Sequence, residues 1–103
     1  MRTLSKLLVI AALTALSQSV FADQALAMKS GCMGCHKPDQ KLVGPAFKDV
    51  AAKYAGQAGI VDTLTARVKS GSPGGNWGDA AMPPSPAPEA DVKQVVSWIM
   101  TLK

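Results

Sequence analysis

Apolar residues along this chain recur with helical rather than strand period, in short stretches separated by Gly- and Pro-rich breaks. Between Pro45 and Gly56, Phe47, Val50, Ala51 and Tyr54 fall at i, i+3, i+4 and i+7, with Lys48, Asp49 and Lys53 on the other face. A second stretch carries Ile60 or Val61, Leu64 and Val68 and ends before Gly71. A third opens at Pro88 with Glu89 and Asp91 in its first turn, then aligns Val92, Val95, Val96, Ile99 and Leu102 in one stripe. Ahead of these, Asp23 is placed to cap a helix running through Ser30, with Leu26 and Met28 apolar and Gly31 as its stop. No alternating pattern or hairpin dipeptide competes, so the expected fold is all-α with about four helices.

The first 22 residues follow another rule. Arg2 and Lys6 precede an apolar run from Leu7 to Leu16, and Val20-Phe21-Ala22 puts small residues at the third and first positions before a cut. This predicts a secretory signal peptide over residues 1–22, cleaved after Ala22, and a single domain over 23–103. The competing reading is a membrane anchor, but the apolar core is only about ten residues where a spanning helix needs ~20. The mature chain is therefore expected to have no membrane span. Loss of Arg2 and Lys6 takes the eleven basic residues to nine against seven acidic ones, a net charge of +2 rather than +4. The remaining lysines are dispersed singly, and Phe47, Tyr54, Trp77 and Trp98 are the aromatics left for stacking, which argues against nucleic acid as a partner.

The 81 residues from Asp23 onward are close to the size at which burial alone gives only a few kcal/mol, so a staple is expected. Two cysteines and the sole histidine stand together as Cys32-Met33-Gly34-Cys35-His36, the attachment signature of c-type haem. Thiols three residues apart project to one side of a helical turn and can reach the two vinyl groups on adjacent pyrroles. His36 is then carried under the ring plane with an imidazole nitrogen aimed at iron. A thioredoxin-type dithiol needs a strand–helix–strand context that the sequence lacks. A structural zinc needs four ligands, and the chain offers two thiols and one imidazole. A disulfide between the two would close a loop too short to stabilise much. The cofactor expected is one haem c with its iron, attached through two thioethers.

The stretch from Ser70 to Ala87 holds four of the nine glycines and four of the seven prolines, so it is neither helix nor strand. Only one helix follows it, and that helix needs a core to pack on. The stretch is better read as an ordered loop covering one face of the haem. A low-spin carrier needs a sixth ligand, and a His/Met pair favours Fe(II) and raises the potential. Met1 leaves with the signal peptide, Met33 lies inside the attachment loop, and Met28 and Met100 stand in helices as core fillers. Met82, 46 residues beyond His36 and followed by Pro83-Pro84, is the expected ligand.

The run Val43-Gly44-Pro45-Ala46-Phe47-Lys48-Asp49-Val50-Ala51, with Asn76-Trp77-Gly78 leading to Met82-Pro83-Pro84, resembles the small bacterial class I cytochromes c that donate electrons to nitrite reductase in denitrifying bacteria. The likeness spans essentially all of residues 23–103. It implies the small class I cytochrome c fold, with helices wrapped around one covalently attached haem. It implies that the Pro45 carbonyl accepts a hydrogen bond from the other His36 nitrogen, and that Arg67 and the Trp77 indole N–H meet a haem propionate. On their own residues, Arg67 reads as a solvated helix charge and Trp77 as a surface-loop aromatic. One departure is visible: where the family often has Asn shortly after Met-Pro-Pro, this chain has Ser85.

The function expected is one-electron transfer in the periplasm by a monomer that is not an enzyme, with iron cycling between Fe(II) and Fe(III). The partners the resemblance implies are a nitrite reductase, a terminal oxidase or a cytochrome bc1-type donor, meeting the exposed haem edge in a small, short-lived contact. Lys29, Lys37, Lys41 and Lys48 are candidates for its rim. The rival classes are a catalytic or gas-sensing haem protein with Met82 unbound, and a disulfide-bonded binding module without haem. A visible absorption spectrum separates all three.

Overall fold

A computed structural model describes residues 22–103 of the protein; the expected signal peptide, but for its last residue, lies outside the described residues. Residues 22–29 are helical and form α1. A single 3₁₀ turn, Cys32–Gly34, follows, then α2 (Phe47–Tyr54), α3 (Ile60–Ser70) and α4 (Glu89–Ile99). Among the described residues there is no strand, and the one β-type contact is an isolated antiparallel bridge between Ser72 and Met82. The fold is the all-α one that the periodicities predict.

The core gathers on α4, which packs against α3 and α2. Val92, Val95, Val96 and Ile99 of the expected stripe are buried, and Trp98 joins them. Ala27 of α1, Phe47 of α2, and Val95, Trp98 and Ile99 form one cluster, with Leu26, Cys32, Met33, Val50 and Leu102 packed around it. The Phe47 ring meets Trp98 edge-on at 5.9 Å between centroids, an arrangement that places the positive ring edge against a negative face. Each such aromatic or aliphatic side chain contributes roughly 1.5–3 kcal/mol by leaving water.

Two details of the first helix differ from expectation. Helix already includes residue 22, so Asp23 does not cap it; its carboxylate instead accepts from the Gln94 side chain at 2.9 Å, tying α1 to α4. Met28 is 63% exposed, and the small Ala27 takes the fully buried position in the cluster with Phe47 and the α4 side chains. In α3, Thr65 is buried because its hydroxyl donates to the Val61 carbonyl at 2.7 Å, which removes the cost of an unpaired polar group.

Candidate functional site

The attachment segment folds as one tight turn. The amides of Cys35 and His36 both donate to the Cys32 carbonyl, at 3.2 and 3.0 Å, which sets the two cysteines a turn apart and delivers His36 at the exit. Both thiols are free. Cys35 is exposed, whereas Cys32 is half-buried, and burial pushes its thiol up, opposed by a hydrogen bond from its own backbone.

His36 is held on three sides. Its Nδ1 donates to the Pro45 carbonyl at 2.8 Å; a carbonyl only accepts, so Nδ1 carries a proton and Nε2 is the ring nitrogen left for another partner. The ring stacks on Phe47 with centroids 5.2 Å apart and planes 19° from parallel. Gly44 lies against its other edge: a methyl there would stand 2.8 Å from Nδ1 and 2.9 Å from Nε2, closer than atoms pack. The Gly44 amide donates to Cys35 O at 2.8 Å and the Phe47 amide to Lys37 O at 2.9 Å, so the chain from 44 to 47 is strapped around the ring.

Cys32, Cys35 and His36 open onto a cavity of about 420 Å³. Its walls are mainly apolar: Leu64 and Val68 from α3, Val92, Val95, Val96 and Ile99 from α4, and Pro73, Trp77 and Met82 from the loop that joins them. Met82 is the methionine on this wall among the described residues, while Met33 packs against the core cluster. The Met82 backbone is fixed by paired 2.9 Å hydrogen bonds with Ser72. An apolar chamber with two thiols, an imidazole and a thioether at its walls, and with no buried side-chain polar atom left unpaired among the described residues, fits a porphyrin that bonds to sulfur and presents iron to nitrogen.

Pro45, Arg67 and Trp77 also line this cavity. Arg67 donates from Nη1 to the Tyr54 hydroxyl at 3.3 Å. The Lys53 ammonium sits over the Trp77 ring, 4.4 Å from its centroid, in cation–π contact. Tyr54 and Lys53, the α2 partners of these two side chains, were not among the expected site residues. Tyr54 reads as core by its periodicity, and Lys53 as a solvated charge on the other face. Ser85 accepts the Ala87 N–H on its hydroxyl at 3.3 Å, so its oxygen serves the local backbone.

A sequence model of the cytochrome c family matches residues 22–103. Cytochrome c-551 of Azotobacter vinelandii is 58% identical over 73 residues, 71% of this chain and 88% of the relative. Cytochrome c-552 of Hydrogenobacter thermophilus is 42% identical over 98 residues, 95% of this chain and 99% of the relative. The crystal structure of wild-type Nitrosomonas europaea cytochrome c552 superposes with a TM-score of 0.74 at 44% identity, covering 78% of this chain and 99% of that one. Among the described residues no helix is long and apolar enough to cross a membrane. The match in sequence and in fold, on a chain whose cavity is walled by Cys32, Cys35 and His36, makes this protein a member of the cytochrome c family, a small class I c-type cytochrome that carries one covalently bound haem c and transfers electrons without being an enzyme.

Proposed function

We propose that the chain is exported to the periplasm, cut after Ala22, and works there as a monomeric one-electron carrier whose axial ligands are His36 and Met82. The observation that carries this reading is the hydrogen bond of the His36 ring: Nδ1 is committed to Pro45, which leaves Nε2 as the nitrogen to meet a metal. When bound, haem c supplies an iron that accepts and returns one electron.

The side chains around it have separable tasks. Cys32 and Cys35 hold the group by thioethers, and their placement within one turn keeps it in register with His36. Met82 offers the soft sulfur that stabilises Fe(II). Arg67 and Trp77, held from α2 by Tyr54 and Lys53, are set to meet the propionates. Leu42 and Val43, 46% and 55% exposed in the stretch hydrogen-bonded to Cys35, give a partner an apolar contact beside the thioether edge. Lys29, Lys37, Lys41 and Lys48 are all exposed and are the candidates for its rim. The partners this fits are a nitrite reductase or terminal oxidase as acceptor and a cytochrome bc1-type complex as donor. With His36 and Met82 both holding the iron, no position would be left on it for oxygen or peroxide. Purification of the mature protein from the periplasm, followed by its visible spectrum and its oxidation kinetics with each candidate acceptor, tests the reading; a high-spin ferric spectrum overturns the ligand set.

A further inference from the structure

Lys69 stands in the last turn of α3, half-buried, and its ammonium donates to two backbone carbonyls of the segment that follows Met82: that of Ser85 at 3.0 Å and that of Ala87. That segment is poorly equipped to hold itself. Pro83, Pro84, Pro86 and Pro88 carry no N–H, which leaves the amides of Ser85 and Ala87 as the backbone donors between Met82 and α4. The Ser85 amide reaches the Val68 carbonyl at 3.0 Å, and the Ala87 amide is taken by the Ser85 hydroxyl. Lys69 therefore supplies two of the three hydrogen bonds described between this segment and α3.

The other flank of Met82 is anchored nearby. Ser72 holds the Met82 backbone through both its amide and its carbonyl, and Gly71, at φ +83°, brings the chain so close that a methyl on it would lie 2.9 Å from Met82 O. Met82 is thus strung between two fixings, both rooted at the C-terminal end of α3. The ammonium is well placed there, since a cation in the last turn faces the negative end of the helix dipole. Its bonds to the carbonyls are charge-assisted, roughly twice as strong as neutral ones. The ion pair among the described residues joins Lys93 to Asp62, so the partners of Lys69 are the two carbonyls.

We propose that Lys69 is a positioning residue for Met82: by gripping the Ser85 and Ala87 carbonyls it holds the segment after the thioether against α3 and restrains Met82 from leaving the cavity. This rests on the reading of Met82 as an iron ligand. The test is titration of the oxidised holoprotein with imidazole, which competes with the thioether for iron, followed by loss of the weak far-red Fe(III)–thioether band. Lys69→Gln is expected to bind imidazole roughly tenfold more tightly than the wild type, the scale of one lost charged hydrogen bond. Lys69→Arg, which keeps a cationic donor on the same turn, is expected to stay close to wild-type affinity. Should Lys69→Gln not accumulate as holoprotein, Lys69→Met retains the aliphatic stem and takes its place. Equal affinity in the wild type and the uncharged variant overturns the proposal, as does a variant whose urea midpoint falls while its imidazole affinity does not rise. Lys69→Arg behaving like Lys69→Gln also overturns it. A wild-type protein with no far-red band is a different failure, of Met82 ligation itself. Reduction potential is not the readout, because removing any nearby positive charge lowers it.

Discussion

The guanidinium of Arg67 on α3 hydrogen-bonds the hydroxyl of Tyr54 on α2 at 3.3 Å, so an exposed cation beside the cavity is braced by a buried ring. Tyr54→Phe keeps the ring and deletes the bond. The oxidised holoprotein is expected to lose roughly 0.5–1 kcal/mol, a fall in Tm of roughly 2–8 °C for a domain of this size. Thermal unfolding followed by circular dichroism measures it, and an unchanged Tm removes the brace from the account.

Covalent attachment makes a sharp prediction about extraction. With both thiols consumed, haem stays with the polypeptide through acid-acetone treatment and denaturing electrophoresis. The double variant Cys32→Ala, Cys35→Ala is expected to release all of it under the same conditions. Haem stain at the wild-type band in the double variant would contradict the assignment.

Met82→Ala should abolish the far-red band of the oxidised protein and lower its reduction potential, because the thioether favours Fe(II). Spectroscopy and voltammetry on the same sample check both. An unchanged band would move the ligand to another methionine.

Gly44 has no room for a side chain beside the His36 ring. Gly44→Ala is expected to cost roughly 1–3 kcal/mol, the range for overfilling a packed site. It should also displace the ring from Pro45. Urea unfolding gives the first quantity, and the exchange rate of the His36 Nδ1 proton by NMR gives the second. A variant with both unchanged would show that the 44–47 strap yields easily.

Partner association should depend only weakly on salt. Cut after Ala22 the chain would carry +2, and two ionised propionates would add about −2, so on the proposed reading steering over long range would be weak and the apolar contact at Leu42 and Val43 would dominate docking. The bimolecular electron-transfer rate is expected to change by less than about tenfold between 0.1 and 1 M salt, where steering alone supplies roughly 10–10³. Stopped-flow kinetics decide it; a hundredfold loss would put the exposed lysines in control.

What could be read from the sequence was whatever a local repeat or a short motif encodes. The Val92, Val95, Val96 and Ile99 stripe and the Cys32-to-His36 spacing are both within one or two turns of chain, and both are where they were expected. Trp98 stands outside the stripe read from the sequence, although it lies three residues from Val95 and shares the buried face. Ala27 carries too little apolar surface to mark a core position, and Thr65 is buried through a bond to its own helix that hydropathy does not register. Nothing in the sequence marks Lys69, because its partners lie 16 and 18 residues on, in a loop whose path no periodicity describes. The need for Gly44 likewise arises from a ring eight residues earlier in the chain.

The Ser72–Met82 bridge closes residues 73–81 into a ring of their own. The register of Met82 is set by the two hydrogen bonds at the neck of that ring, apart from its tip. Trp77 rides on the tip and Met82 on the neck. A change of length within residues 73–81 would therefore reshape the rim of the cavity while the Met82 backbone stays where the neck holds it.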